Sequence, residues 1–228
     1  MLEQAKAYWE KKDYQKAVSW YEQALPLVEK ELGSDNPQLV ALLLALGIGQ
    51  HLQGHDGRAL PFFQRSLDII KNSPAMKDRD SAAMAALKGL GLCYLAQEDY
   101  RQAAPTFEDA LAIEERILPA DHTNLCATIA NIARSYNELK DYNRALHYYD
   151  RALAIMEKHP QEMDHPEGLI AVLTDMGLTY RAMERRSEAA VAFQRCLQVQ
   201  ERAFGKDSTN CCASLKVLGD LHATLANY

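Results

Sequence analysis

Few residues in this chain are spaced for chemistry. His51 and His55 stand four apart, a spacing at which two imidazoles on one helix can hold a metal ion. Gly54 falls between them, where a helix should end, so they read as a surface pair and no metal site is expected. Cys211 and Cys212 are adjacent and would suit a redox or metal site, but neighbours on a helix point to different sides. The five cysteines (Cys93, Cys126, Cys196, Cys211 and Cys212) are scattered, with no C-x-x-C pair. That usage reads as free thiols in a reducing compartment, and the cytoplasm is the expected location. No Cys–His–acid grouping, phosphate-cradling loop or paired-carboxylate motif is identifiable along the chain. Neither catalysis nor a cofactor is therefore expected.

Charge and composition narrow the remaining classes. A net charge of −6 argues against nucleic acid as a partner, because phosphate binding needs a concentrated basic face. It argues equally against an anionic membrane surface. No apolar run reaches about 18 residues, so no membrane-spanning helix is expected. The opening MLEQAKAYWEKK lacks the basic-then-apolar layout of a signal peptide. With 48% hydrophobic residues, 11 Gly and 8 Pro, the chain favours helix over a turn-rich β protein.

The elements that would position any site come from an internal repeat. The stretch 129–155, IANIARSYNELKDYNRALHYYDRALAI, reads as two amphipathic helices and a short turn. Small residues recur in the first helix of each pair at Ala5, Gly47, Gly91, Ala133, Gly177 and Gly219, in steps of 42, 44, 42, 44 and 42. Twelve residues after the first five come Ala17, Ala59, Ala103, Ala145 and Ala189. Four further on stand Tyr21, Phe63, Phe107, Tyr149 and Phe193, and three beyond those Ala24, Ser66, Ala110, Ala152 and Cys196. Cys196 thus reads as a small packing residue. The small residues let helix A and helix B of each pair approach, and the aromatic fills the gap toward the next pair. All length variation falls between pairs, where loops tolerate it. No single pair can bury its apolar stripe, so the pairs must stack.

The pattern resembles the tetratricopeptide repeat over essentially the whole chain. Its 42–44-residue unit is similar to the long repeats of the kinesin light chain group. The linkers ELGSDNP (31–37), ILPADHT (117–123) and MDHP (163–166) resemble that group's Leu-Gly-x-Asp-His-Pro. Ala59-Leu60-Pro61 and Ala103-Ala104-Pro105 match its Ala-x-Pro entry to helix B, and Asn131-Ile132-Ala133 part of its Asn-Leu-Ala. The resemblance implies an all-α, right-handed superhelical solenoid of antiparallel helix pairs, in one domain over residues 1–228. Units are expected at about 1–33, 34–78, 79–119, 120–163 and 164–206, with a terminal helix at 207–228. Pro26 should kink or break the helix at 14–31, and Asp35-Asn36-Pro37 should cap the next one, at about 37–53. The first helix A lacks its upstream half, which suggests a fragment or a worn capping repeat. The last helix should expose Leu215, Leu218 and Leu221.

In such proteins the helix A residues not used for stacking line a concave groove. By position these include Leu44, Ile48, His51 and Leu95, and the expected peptide-binding set is Lys88, Leu92, Asn131, Arg134, Asn137, Thr174, Asp175, Arg181 and Lys216. The array is apolar toward the N-terminus and polar in the middle. An Asn projecting into a groove can hold a peptide backbone with donor and acceptor together. Lys88 and Arg134 could pair with an acid. The complete carboxylate clamp of chaperone-binding relatives is absent, since Lys88 is followed four later by Leu92 and Ala130 stands four before Arg134 where that clamp has Lys. The expected function is an adaptor that binds a peptide segment of a protein partner. The alternatives are a homo-oligomer formed through the terminal helices, or the sensor segment of a larger regulator.

Overall fold

The computed structural model describes residues 1–159 and 166–225, apart from the side chains of His222 and Leu225. His165 and most of the 163–166 linker motif lie outside the described residues. Every regular element described is helical, and the chain divides into two compact units, 1–117 and 118–228. The first holds α1 (Leu2–Glu10), α2 (Tyr14–Leu32), α3 (Leu39–Leu52), α4 (Asp56–Lys71), α5 (Arg79–Ala96) and α6 (Tyr100–Ile117). The second holds α7 (Leu125–Glu138), α8 (Tyr142–Lys158), α9 (Glu167–Ala182), α10 (Arg186–Phe204) and α11 (Cys212–Leu225). Odd-numbered elements are A helices and even-numbered ones B helices; α1, α3, α5, α7 and α9 each pack on the B helix that follows, and α11 packs on the preceding α10.

Each A–B turn uses one backbone solution. Lys12, Gly54, Glu98, Lys140 and Glu184 all take a left-handed conformation, with φ between 58° and 75°. The next amide reaches back to the A helix: Asp13 to the Tyr8 carbonyl, His55 to Gln50, Asp99 to Tyr94, Asp141 to Tyr136 and Arg185 to Tyr180. This is the six-to-one bond of a Schellman ending, which satisfies carbonyls the helix leaves free. Asp13, Asp99 and Asp141 then cap the B helix, each carboxylate accepting from the amide three residues on (Lys16, Gln102 and Arg144).

The small residues of the A helices exist for the aromatics of the B helices. A Cβ built on Gly47 would lie 2.8 Å from the Phe63 ring, one on Gly91 2.8 Å from Phe107, and one on Gly177 2.7 Å from Phe193. Phe63 also presses on the next A helix, where a Cβ on Gly89 would lie 2.3 Å away. One ring therefore fills both its own pair and the junction to the next. In the second unit Tyr149 has this role, and its hydroxyl donates to Asp175 Oδ2 over a long 3.4 Å. Asp175 is thus the counterpart of Gly89: a polar partner replaces bare space.

Three expectations need correction. Pro26 does not end α2, which runs unbroken from Tyr14 to Leu32. The proline lies on the exposed face, so the carbonyl deprived of its donor can turn to water. Helix α3 starts at Leu39, not at Pro37; Asn36 instead joins the two helices, its amide donating to the Leu32 carbonyl and its Oδ1 accepting from the Gln38 amide. Of the three leucines expected on the face of the last helix, only Leu215 is exposed. Leu218 and Leu221 are buried with Ala189, Phe193 and Leu197 because α11 lies over α10. Cys196 is buried, as are Cys93, Cys126 and Cys211, while Cys212 faces solvent.

Candidate functional site

The candidate site follows from which helices touch. Within the first unit α3 packs on α5, and within the second α7 packs on α9. Among the described residues no comparable contact joins α4 to α6 or α8 to α10. The A helices therefore form the closer-packed side of each unit, and their non-stacking residues face outward from it.

In the first unit this face is apolar, with Leu44, Ile48, Leu92 and Leu95 half-buried. Its cation is already engaged. Lys88 Nζ donates to Glu114 Oε1 on α6 at 2.8 Å, and the Glu114 side chain is only 2% exposed. The other Glu114 oxygen, Oε2, is buried without a hydrogen-bond partner among the described residues. Lys88 therefore answers a buried carboxylate of its own repeat.

In the second unit the face is polar, and three of its seven candidate residues are held by residues outside that set. Asn137 Oδ1 accepts from Thr179 Oγ1 at 2.8 Å, and Thr174 Oγ1 lies 3.4 Å from Cys196 Sγ. Asp175 is held by Tyr149. Burial pushes the Asp175 carboxyl above the ordinary range, against the pull of the Arg134 charge and the Tyr149 hydrogen bond. Burial and the neighbouring Asp175 push the Tyr149 phenol up in turn. Asn131 is half-buried, while Arg134, Arg181 and Lys216 are exposed. No side-chain hydrogen bond or ion pair joins these four to the other described residues.

A cavity of about 660 Å³ lies among α8, α9 and α10 of this unit. Met156, Leu169, Leu173 and Val199 line it together with the ion pair Glu157–Arg195. No sequence feature pointed to it, because its residues come from three helices with no shared spacing.

The histidine pair does not converge. His51 Nδ1 contacts Asp56 Oδ1 at 2.5 Å, whereas His55 Nδ1 contacts Gln50 Oε1 at 3.1 Å. His51 instead meets Asp56 and Cys93, a His–acid–Cys cluster from three helices that no local spacing reveals.

Antiparallel pairs in a fixed register, joined by one turn type and interleaved by one aromatic, define an all-α helical repeat protein. The chain belongs to the tetratricopeptide repeat family, whose sequence models match residues 1–72 and 81–158, and 169–210. No curated protein sequence matches it. Solved structures with this fold include the kinesin light chain TPR-like repeats of Podosopora anserina. These are 22% identical, with a TM-score of 0.71, covering 89% of this chain and 94% of that one. BtubC (BKLC) from P. vanneervenii is 16% identical, with a TM-score of 0.69, covering 94% and 82%. The apo form of RapI is 15% identical, with a TM-score of 0.74, covering 99% and 82%. At these identities the likeness concerns the fold. No described helix is long and apolar enough to cross a membrane.

Proposed function

We propose that this protein is a non-catalytic interaction scaffold whose second unit binds a peptide segment of a partner protein along the A helices. The observation that carries this reading is the contrast on that face. Asn137, Thr174 and Asp175 are held by neighbours, while Asn131 and Arg134 carry unspent polar groups on the same helix layer. A rigid surround lowers the ordering cost of binding. Asn131 offers a donor and an acceptor to a peptide backbone, and Arg134 offers a planar fork to a carboxylate. Arg181 and Lys216 add positive charge, and Leu92 with its apolar neighbours offers a separate contact surface in the first unit. Lys88 joins recognition only by exchanging Glu114 for a partner acid.

The test is a peptide-library selection against the full chain, followed by affinity measurements on variants. The expected outcome is an acidic peptide whose affinity falls with salt. Asn131→Ala and Arg134→Glu should each weaken it at least tenfold without changing helicity. Selected peptides that bind both variants as tightly as the parent would refute the reading. Self-association through the terminal helix has less support, since Leu218 and Leu221 are spent in the core.

A further inference from the structure

His51 on the last turn of α3, Asp56 at the start of α4 and Cys93 within α5 each bring one ligand atom within 4.8 Å of the other two. The donors are an imidazole nitrogen, a carboxylate oxygen and a sulfur, all from the first unit. This is a ligand set that zinc accepts. Tetrahedral zinc holds nitrogen and oxygen at about 2.0–2.2 Å and sulfur at about 2.3 Å, which sets its ligands roughly 3.2–3.8 Å apart. His51 Nδ1 and Asp56 Oδ1, now 2.5 Å apart, need only separate by about an ångström to fit that geometry, a side-chain rotation.

The surroundings suit a cation with one open position. Cys93 is fully buried, while the His51 and Asp56 side chains are 28% and 16% exposed, so water reaches the cluster from their side only. The cluster does not suit a nucleophile. Burial, with the Asp56 charge and hydrogen bond adding to it, pushes the Cys93 thiol up to about 12, so the free thiolate is scarce at neutral pH. A bound cation reverses this by displacing the thiol proton to solvent.

We propose that His51, Asp56 and Cys93 form a site for a thiophilic divalent cation, zinc matching best, with water as the fourth ligand. The ion ties helices of two successive repeats together. It sits at one end of the apolar A-helix face of the first unit, since His51 belongs to that face.

The test uses the full chain without an affinity tag, reduced, stripped with chelator and titrated anaerobically with cobalt(II). Binding predicts one equivalent, a thiolate-to-cobalt charge-transfer band, and visible bands of four-coordinate intensity that one equivalent of zinc removes. Cys93→Ala should abolish the charge-transfer band, and His51→Asn should weaken binding at least tenfold. Zinc should raise the thermal midpoint of the parent chain and not that of His51→Asn. If Cys93→Ala fails to fold, as circular dichroism would show, the partly exposed His51→Asn decides alone. The absence of a band with excess cobalt, or unchanged affinity in His51→Asn, overturns the proposal.

Discussion

Four glycines occupy one register of the repeat, yet the structure separates them. Gly177 and Gly219 lie in the same compact unit. A Cβ on Gly177 would lie 2.7 Å from Phe193, whereas one on Gly219 meets nothing within 4 Å. Carbon atoms in contact prefer about 3.5–4.0 Å, so Gly177→Ala demands that the ring retreat by roughly 1 Å. Phe193 is 2% exposed and packed with Ala189, Leu197, Leu218 and Leu221, so its retreat must displace them. Helix propensity favours Ala over Gly by about 1 kcal/mol at an interior position. Gly219→Ala should therefore stabilise the second unit by up to about 1 kcal/mol. Gly177→Ala should gain the same and lose about 1–3 kcal/mol to overpacking, for a net loss of about 1 kcal/mol. Larger substitutions such as Gly177→Leu should cost more. The assay is urea unfolding, with m unchanged as the sign that only stability moved. Phe193→Leu should relieve Gly177→Ala, giving a non-zero coupling in a double-mutant cycle, and should not couple to Gly219→Ala. Gly177→Ala as stable as Gly219→Ala would refute the packing argument.

Other outcomes follow from the turns and ion pairs. Lys140 has φ 61°, so Lys140→Gly should stabilise the second unit by up to about 1 kcal/mol in the same assay. Asp141→Ala removes the cap of α8 and should cost about 1 kcal/mol, most of it the amide bond and little of it the exposed pair with Arg144. The hydrogen bonds from the Arg144 side chain and amide hold the Asp141 carboxyl below its ordinary value. Its contribution is therefore complete above the unfolded carboxyl value of about 3.9 and is lost as pH falls through the lower folded value, so the Asp141→Ala penalty should shrink in acid. Lys88→Ala strands the buried Glu114 and should cost about 2 kcal/mol or more, between the values for exposed and buried pairs, and adding Glu114→Gln should recover part of it.

The fold was legible because its signal is periodic. Ala145, Tyr149 and Ala152 recur at spacings that only stacked helix pairs satisfy, and the bounds of α8 and α10 follow directly. What escaped depends on contacts across the repeat. The left-handed turn residues were hidden because three different residue types, Lys, Glu and Gly, fill one backbone position. The persistence of α2 through Pro26 depends on which face the proline takes, and the burial of Leu218 and Leu221 on how α11 lies over α10. For the candidate residues on the A helices, the resemblance supplied positions but not pairings. It could not show that Lys88 serves Glu114, or that Asp175 serves Tyr149, because each partner lies 26 residues away on another helix. The His51–Asp56–Cys93 cluster was missed for the same reason.

The most direct test of the scaffold reading is where a selected peptide binds. Amide resonances of the full chain, assigned and followed during titration, would show it. Shifts should concentrate at Asn131 and Arg134 on α7 and at the facing positions of α9, with none at Val199 or Leu169. Shifts confined to Met156, Leu169 and Val199 around the cavity among α8, α9 and α10, with α7 unmoved, would contradict it.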